Sequence, residues 1–464
     1  MIELQTINLE QILSDPIFDQ FKDEMTSFND IKKGDKIILS VSGGLDSMAL
    51  LLLMESLNKF EFIVVHVNHH LRKDSAKDEL LVRQICDSLE VIFYSISLNP
   101  NEIEKGESVE QWARTKRYEF LNQIMKQTNS NWIMTAHHGN DQVETVLMNL
   151  SRQSGIPGLC GIGKRNGHIL RPFLGFTKRD LSLFVERTQI PYREDSTNSN
   201  LSIPRNFIRH AIIKPWEKNV KNLVNSIKGS VDHISEWKDA LDFFIVEMIL
   251  PKVKQSDNEF HIPLNLIETM PILVKIRLVQ ILLDRTNHQM WSKHQIKILK
   301  SFFHKEEIGN EHILPNGWKL LRDRTSIIGK NMRDTTKNVR MELLPNIPVE
   351  FNHYRYELLF DNQSKLESNQ NQEWVDWSLL KNQKLEIRSW TDGDSFQPLG
   401  MDGHQKISDF LINEKVDRFS KESQVVMTAN NEIIWVCGRR LADWVKLTKN
   451  TKETATLNRR QIII

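Results

Sequence analysis

The stretch that decides the fold is Lys36-Ile37-Ile38-Leu39-Ser40-Val41-Ser42-Gly43-Gly44-Leu45-Asp46-Ser47. Its first six residues predict a buried strand, and a helix through Leu53 follows the Ser/Gly turn. Three further apolar runs predict strands, and helical patterns at 75–89 and 108–128 lie between them. These runs are Phe62–Val67, Val91–Ile96 and Trp132–Thr135. The alternation is typical of a doubly wound, mostly parallel sheet covered by helices, so we predict an α/β domain ending near residue 215.

The rest of the chain predicts smaller units. From Val220 to about Phe303 the apolar spacing is helical throughout, which indicates a small helical domain. Short strand-like runs follow at Trp318–Leu321, Ser326–Ile328 and Arg340–Leu344, and a polar stretch at 362–372 reads as a loop. The last 90 residues mix strands (Leu385–Ser389, Ile433–Val436) with a helix near Ile407–Leu411. This pattern predicts a C-terminal α+β unit.

The net charge conceals two opposed regions. The 464 residues carry 61 basic and 60 acidic side chains, a net charge of +1. Residues 1–150 have a net charge of −9, whereas residues 151–230 have a net charge of +9. The basic stretch is a candidate contact surface for a polyanion, and a solvated surface loop is the alternative.

Cysteine usage and hydropathy exclude several classes of protein. Cys86, Cys160 and Cys437 are odd in number and far apart, which excludes a disulfide framework and a CxxC metal or iron–sulfur site. The longest apolar run, Met48–Met54, is too short to span a membrane. The N-terminus lacks the pattern of a secretory signal, so we expect a cytoplasmic protein.

The turn after the first strand has the composition of a phosphate-binding loop. Gly43 and Gly44 allow close approach of an anion to backbone N–H groups at a helix N-terminus. Ser42 and Ser47 can donate hydroxyl hydrogen bonds to phosphate oxygens. Asp46 would repel a bare phosphate, so it is best explained as a ligand of an intervening Mg²⁺. An ordinary capped turn is the alternative.

Further polar groups follow the second strand and occupy the next helix. His66 and Asn68 come where open α/β sheets bind ligands, at the carboxyl ends of strands. Arg114 and Arg117 are three residues apart, so they share one helical face that could clamp phosphates or a nucleotide. A solvated basic face is the alternative for the arginines.

A third polar cluster follows the fourth strand. His137, Asp141 and Glu144 are spaced four and three residues apart, so a helix through them would present all three side chains together. Such a cluster could hold a metal or position a base and a cation. A structural cap at the end of the strand is the alternative.

Taken in order, these motifs resemble the tRNA(Ile)-lysidine synthetase family of N-type ATP pyrophosphatases. The N-terminal matches are Ser42–Ser47, His66–Arg72, Ala113–Tyr118, Ala136–Thr145, Gly158–Gly161, Arg171-Pro172, Glu194–Asn198 and Arg205–Arg209. The C-terminal matches are Gly393–Gly400 and Trp435–Arg440, which resemble the long members of the family. Two positions depart from the family pattern, since Asn140 stands where Asp is usual and His70 where Gly is usual.

The resemblance implies a reaction and a domain plan. ATP activates the C2 carbonyl oxygen of the wobble cytidine in a CAU-anticodon isoleucine tRNA, and the ε-amine of lysine then displaces AMP. The catalytic ATP-pyrophosphatase domain, with an adenine nucleotide alpha hydrolase-like fold, would span 1–215. A mainly helical tRNA-binding domain would span 216–330, a strand-containing linker 331–374, and an α+β tRNA-binding domain 375–464.

The resemblance also implies roles for the residues quoted above. ATP binding falls to Ser42, Gly43, Gly44, Leu45, Asp46, Ser47, His66, Asn68 and Arg114. Catalysis falls to Asp46, His137, Asp141 and Glu144, with Asp46 also the expected Mg²⁺ ligand. Contact with tRNA falls to Arg117, Arg171, Arg193, Arg205 and Arg209. The partners are then the isoleucine tRNA and L-lysine, with no membrane; the oligomeric state stays open, a homodimer included.

Other functions remain to be distinguished. A tRNA 2-thiocytidine synthetase shares the loop but needs clustered cysteines, and a GMP synthetase needs a glutaminase nucleophile. A non-catalytic tRNA-binding protein with a relic ATP site is a reading from another class. The intact acids at Asp46, Asp141 and Glu144 argue against that reading.

Overall fold

A computed structural model describes residues 8–70, 74–103, 107–194, 200–283, 291–305, 307–332, 339–360 and 369–462. The chain divides into two compact units. The first consists of Met1–Phe243 and Thr286–Lys293, and the second of Phe244–Arg285 and His294–Ile464. The predicted Glu194–Asn198 and His66–Arg72 motifs lie partly outside the described residues.

The first unit alternates strands and helices. Its elements are α1 Leu9–Leu13, α2 Pro16–Ser27, β1 Lys36–Ser40, α3 Leu45–Leu57, β2 Glu61–Asn68, α4 Ser75–Ser88, β3 Phe93–Ser97, α5 Val109–Gln127, β4 Trp132–Thr135, α6 Gly139–Ser151, α7 Ile156–Leu159, β5 Arg165–Asn166, β6 Ile169–Leu170, α8 Lys178–Thr188, α9 Pro204–Phe207, α10 Lys214–Asn219 and α11 Leu223–Phe244. The sheet order is β3-β2-β1-β4-β6-β5. The pairs β2–β3, β1–β2, β1–β4 and β4–β6 are parallel, which confirms the predicted fold class.

Strand β1 shows why this sheet needs helices on both faces. Ile37 and Leu39 pack into a core with the wholly buried residues 48–54 of α3. Ile38 points to the other face, where it packs with Leu121 and Ile124 of α5. A strand buried on both sides has no polar alternation, as expected for the centre of a parallel sheet. The loop after β1 therefore starts from a rigid base.

The second unit combines short helices with antiparallel sheets. Its elements are β7 Lys254–Gln255, β8 Glu259–Pro263, α12 Leu264–Ile267, α13 Ile272–Leu283, α14 Lys293–His304, β9 Glu311–Ile313, β10 Trp318–Arg322, β11 Ser326–Asn331, β12 Arg340–Glu342, β13 Val349–Phe351, β14 Tyr354–Leu359, β15 Gln372–Asp376, α15 Trp377–Leu380, β16 Leu385–Ser389, β17 Ser395–Phe396, β18 Gln405–Lys406, α16 Ile407–Asn413, α17 Arg418–Glu422, β19 Val425–Ala429, β20 Glu432–Val436, β21 Arg440–Leu441 and β22 Thr454–Gln461.

One part of the helical prediction was wrong. Residues 254–263 form β7 and β8, which join a five-stranded sheet of order β7-β8-β11-β10-β9. Phe260 and Ile262 are buried while their neighbours are not, a period of two that suits a strand. Gly329 of β11 leaves room for the Phe260 ring, since a Cβ there would lie 2.1 Å from it. The predicted helical character holds for α11, α13 and α14.

The C-terminal prediction of an α+β unit is confirmed. Strands β12-β16-β19-β20-β21 form one sheet and β13-β14-β22-β15 another, and a single apolar core includes residues of both. Gly438 has φ +77° and lies against the Arg459 guanidinium, where any side chain would collide. In the described residues, no helix combines the length and hydropathy that crossing a membrane requires. The domain boundaries at 215, 330 and 374 stay predictions.

Candidate functional site

The loop between β1 and α3 is held open by its own hydrogen bonds. The backbone N–H of Ser42 donates to Oγ of Ser47 at 3.1 Å, and that hydroxyl donates to the carbonyl of Gly44 at 2.9 Å. Gly43 has φ +86°, and a Cβ at this position would lie 3.2 Å from the carbonyl oxygen of Asp78. Gly44 caps α3 without a side-chain hydrogen bond, so the helix N-terminus keeps unpaired N–H groups that suit an anion.

Asp46, in the first turn of α3, contacts a lysine that sequence reasoning missed. Nζ of Lys178 lies 2.8 Å from both Oδ1 and Oδ2 of Asp46. Nε2 of His138 lies 3.7 Å from Oδ2 of the same carboxylate. The only sequence signal for Lys178 was its place in the basic stretch, because 132 residues separate it from Asp46. With side chains 42% and 26% exposed, such a pair contributes about 1 kcal/mol or less.

Asp46, the expected Mg²⁺ ligand, suits a metal ion that binds together with the phosphates of the substrate. Among the described residues, no group of three or more His, Cys, Asp or Glu side chains could hold a metal ion by itself. Mg²⁺ is commonly bound by one or two carboxylates together with substrate phosphates, so a single acid at the phosphate loop is a sufficient protein contribution. Asp46 lies at that loop, in the first turn of α3.

The third cluster forms where β4 leads into α6. His138 caps α6, with its backbone N–H donating to Oδ2 of Asp141 at 2.9 Å and its Nδ1 accepting from the Asp141 N–H at 3.4 Å. Nδ1 of His137 lies 2.8 Å from Oγ1 of Thr135. His137 therefore precedes the helix, while Asp141 and Glu144 lie on it. Asp141 and Glu144 share the helix as the spacing predicts, and the structural cap that the sequence left as the alternative is also present, formed by His138 with Asp141.

Burial and neighbouring charges set the protonation of this cluster. Burial lowers the pKa of His137 to about 3; Asp141 opposes the shift, and Arg117, Arg171 and Arg205 reinforce it. Burial alone would raise the pKa of Asp141, but His138 and Arg205 outweigh it and hold that pKa at about 2. At neutral pH the imidazole is uncharged and the carboxylate is ionised.

Two arginines predicted to contact tRNA are paired with the acids of α6. Nε of Arg205 lies 2.6 Å from Oε2 of Glu144, and its Nη2 lies 2.9 Å from Oδ1 of Asp141. Nε of Arg209 lies 2.6 Å from Oε1 of Glu144. Asp141, Glu144, Arg205 and Arg209 thus form a network of two carboxylates and two guanidinium groups. The positive charges of the two arginines are therefore already balanced within the protein.

Two more predicted tRNA contacts support the architecture of the site. The N–H of Arg193 donates to the Gly43 carbonyl at 3.0 Å, and its Nε donates to the buried Asp78 carboxylate at 2.8 Å. Arg193 therefore buttresses the phosphate loop. Arg171 is 3% exposed and donates from Nη1 to the Gly163 carbonyl. A surface role does not fit the placement of Arg171, because its guanidinium is enclosed by protein.

His66 and Asn68, predicted to bind ATP, are also buried and hold the backbone. Nδ1 of His66 lies 2.9 Å from the Val41 carbonyl, and burial lowers the pKa of this histidine. Oδ1 of Asn68 accepts from the N–H of His70, which has φ +49°. Glycine adopts this left-handed conformation without strain. The backbone geometry at His70 therefore explains why glycine would suit this position.

Arg114 and Arg117 remain the best candidates for an external phosphate. Both lie on α5, and their guanidinium carbons are 5.1 Å and 5.3 Å from the ring centroid of Tyr118. In the described part of the chain, neither arginine has an ion pair with a carboxylate within 4.0 Å. Burial lowers the pKa of Arg117, and Arg114 adds to that effect. An incoming anion would relieve this positive charge.

Two protein families match the chain, one in its N-terminal part and one near its C-terminus. The PP-loop domain family matches residues 17–216, and the TilS substrate C-terminal domain family matches residues 385–457. The chain combines a PP-loop domain with a TilS substrate C-terminal domain. The first match contains the loop, Lys178 and the Asp141–Glu144 network, and the second covers most of the C-terminal core.

Relatives extend the likeness along the chain and confirm the resemblance inferred from its motifs. The chain is 28% identical over 430 residues to the tRNA(Ile)-lysidine synthase of Parabacteroides distasonis, covering 91% of this chain and 95% of that protein. It is 28% identical over 450 residues to the tRNA(Ile)-lysidine synthase of Caldanaerobacter subterraneus subsp. tengcongensis, covering 93% and 95%. Among solved structures, the U34-tRNA thiolase NcsA from Methanococcus maripaludis matches with 19% identity and a TM-score of 0.41, over 47% of this chain and 80% of that one.

Proposed function

We propose that this chain is a tRNA(Ile)-lysidine synthetase. It uses ATP to adenylate the C2 carbonyl oxygen of the wobble cytidine in the CAU anticodon of an isoleucine tRNA, releasing pyrophosphate. The ε-amine of lysine then displaces AMP, and the codon specificity changes from AUG to AUA. The observation that carries the proposal is the pairing of a PP-loop domain with a TilS substrate C-terminal domain on one chain, 91% of which matches a tRNA(Ile)-lysidine synthase.

The phosphate loop supplies positioning and charge for the first step. Phosphoryl-type transfers depend mainly on orientation and charge neutralisation, and the unpaired N–H groups of α3 with the Ser42 hydroxyl provide both, while the Ser47 hydroxyl holds the loop through the Gly44 carbonyl. Mg²⁺, when bound with ATP, would neutralise phosphate charge, with Asp46 as its protein ligand. Arg193 fixes the loop through Gly43 so that these donors keep their places.

The network on α6 suits recognition of lysine. Asp141 is ionised far below neutral pH, so it can attract an ammonium group but is a weak base. An acid at this site could bind the ammonium of lysine or take the proton that the amine loses before attack, and we therefore assign Asp141 to the first of these roles. The neutral His137 beside it can exchange hydrogen bonds with the base or the amine without adding charge.

The tRNA phosphates are assigned to arginines that have no acidic partner. Arg117 meets this condition in the described residues, and so does Arg114, which the resemblance assigned to ATP and which we propose contacts tRNA instead; Arg205 and Arg209 do not meet it. Counterion release upon phosphate binding is greatest where the protein charge was not already neutralised internally. A tRNA substrate also implies a cytoplasmic location, and a homodimer stays a prediction.

The rival reactions receive no support from the cysteines. All three are free, and Cys86 and Cys437 are buried. Burial raises the pKa of the Cys86 thiol to about 12, so this sulfur is a poor nucleophile. Thiolation and glutamine hydrolysis both need a reactive sulfur, which makes the thiocytidine and GMP synthetase readings weaker.

One assay tests the proposed function. Purified protein is incubated with ATP, Mg²⁺, labelled lysine and an unmodified CAU-anticodon isoleucine tRNA. We expect label in the tRNA only when all components are present, with AMP and pyrophosphate formed in equal amounts. A methionine tRNA of the same anticodon is the matched control. Binding of tRNA without lysine-dependent label would instead support the non-catalytic reading.

A further inference from the structure

Lys178 is held at the phosphate loop by its backbone and reaches it with its side chain. It is the first residue of α8, which begins after Thr177 in a capping box with Asp180. Its backbone N–H donates to Oδ1 of Asn140 on α6 at 2.8 Å. The ammonium group contacts Asp46 on α3. Three helices thus fix the position of one flexible, partly exposed cation.

Asp46 lies where the N-termini of three helices meet. Asp46 lies in the first turn of α3, His138 caps the start of α6, and Lys178 begins α8. The N-terminus of each helix bears a partial positive charge from its aligned peptide dipoles. The ammonium group adds a full charge, and the Asp46 carboxylate is the acid that faces it. Asp141 and Asp180 already balance the starts of α6 and α8, so the uncapped N-terminus of α3 and the Lys178 ammonium group are the positive charges that Asp46 faces.

We propose that Lys178 binds the β- and γ-phosphates of ATP and retains the pyrophosphate as it leaves. Its ion pair with Asp46 is then the arrangement adopted without nucleotide. This inference rests on the proposed function and extends it by one residue. Asn140 suits this role, because its amide oxygen accepts the Lys178 N–H without adding a second negative charge.

Exchange of Asp46 for phosphate is favourable on simple grounds. Lys178 is 42% exposed in the pair, so its ammonium is still hydrated and can swing to a new partner. A polyphosphate offers several charged oxygens to the three donors of an ammonium group, whereas the carboxylate offers two. The released Asp46 becomes available as the protein ligand of the cation that accompanies ATP.

Nucleotide binding in the absence of tRNA and lysine tests the role directly. Isothermal titration of the full chain with Mg²⁺ and ATP compares wild type with Lys178→Met, Lys178→Arg and Arg179→Met. We expect Lys178→Met to weaken binding about 10- to 100-fold, the loss typical of a charged hydrogen bond. Lys178→Arg should retain most of the affinity. The matched control Arg179→Met removes the same charge from the next, exposed residue and should bind as wild type does.

A purely structural role predicts the opposite sign. If Lys178 only screened Asp46, then Lys178→Met would free the carboxylate and leave Mg²⁺·ATP affinity unchanged or tighter, which overturns the proposal. Titration with Mg²⁺ and inorganic pyrophosphate should show the same order of variants. If the Met variant does not fold, Lys178→Gln, which also removes the charge, takes its place, and pyrophosphate affinity equal to that of wild type in this variant overturns the proposal. Wild type that fails to bind ATP refutes both proposals. Weakened binding in Lys178→Met with no lysine incorporation by wild type refutes only the proposed function.

Discussion

The Nε atom of Arg205 lies 2.6 Å from Oε2 of Glu144, a side chain that is only 1% exposed. A buried carboxylate is tolerated when its charge is balanced and its lone pairs are filled, and Arg209 supplies the second partner at 2.6 Å. The basic segment after residue 200 is therefore tied to α6 by charge. Arg205 and Arg209 in this segment therefore stabilise the site by pairing with its acids.

Neutralising Glu144 should destabilise the protein. Glu144→Gln leaves two guanidinium groups without their main acidic partner, so we expect the free energy of unfolding to fall by about 3 kcal/mol. Urea denaturation followed by circular dichroism measures the change. Glu119→Gln is the control, since Glu119 is 59% exposed and pairs only with Lys116 in the described structure; its effect should stay near zero. Equal stability of the two variants would contradict a buried network.

Removing the charge of Asp141 should separate tRNA binding from catalysis. In Asp141→Asn we expect tRNA affinity to stay nearly intact and lysine incorporation to be lost, because the amide cannot attract the ammonium of lysine. Filter binding and the labelled-lysine assay measure the two quantities. Unchanged turnover in this variant would remove Asp141 from the reaction.

The depressed pKa of Asp141 predicts a pH dependence of stability. Its pKa is lowered from 3.8 to about 2 in the folded protein, so the folded state favours the ionised form. The resulting stabilisation, about 2 kcal/mol, is fully present above pH 4 and is lost as the pH falls through 2. The stability difference between wild type and Asp141→Asn should therefore be constant from pH 5 to 7 and shrink below pH 4. If the difference grows as the pH falls, the pKa of Asp141 is raised in the folded protein and not lowered.

The left-handed backbone at His70 predicts an asymmetric response to substitution. His70 has φ +49°, which glycine adopts without strain and β-branched residues avoid. We expect His70→Gly to keep or slightly raise the melting temperature, whereas His70→Val should cost about 1 to 2 kcal/mol. Differential scanning calorimetry compares the pair. If valine is tolerated as well as glycine, the conformation is not the constraint at this position.

Arg114 should contribute more to the salt dependence of tRNA binding than the paired arginines do. Arg114→Gln removes a cation with no carboxylate partner in the described residues, so the slope of log affinity against log salt should fall by about 1. Arg209→Gln should change that slope less, because its charge already serves Glu144. Fluorescence anisotropy at several salt concentrations measures both slopes. If Arg209→Gln changes the slope more than Arg114→Gln does, the tRNA contact lies in the segment after residue 200.

The sequence by itself determined the parallel sheet, the phosphate loop and the acids of α6. Apolar runs of strand length alternating with helical patterns leave few other ways to bury the same residues, and β1 to β4 lie where those patterns predict them. The loop and the capping of α6 are local, so their motifs carry the signal. The strands β7 and β8 were missed because Phe260 and Ile262 give too short an alternation within a helical stretch.

Only the tertiary structure decided which charged side chains form ion pairs. Lys178 reaches Asp46 across 132 residues, and Arg205 reaches Glu144 across 61. No periodicity encodes such pairs, because they depend on where helices pack against a common sheet. The same packing turned Arg193 toward Gly43 and Asp78 and buried Arg171, and residue type and net charge alone did not predict these internal contacts.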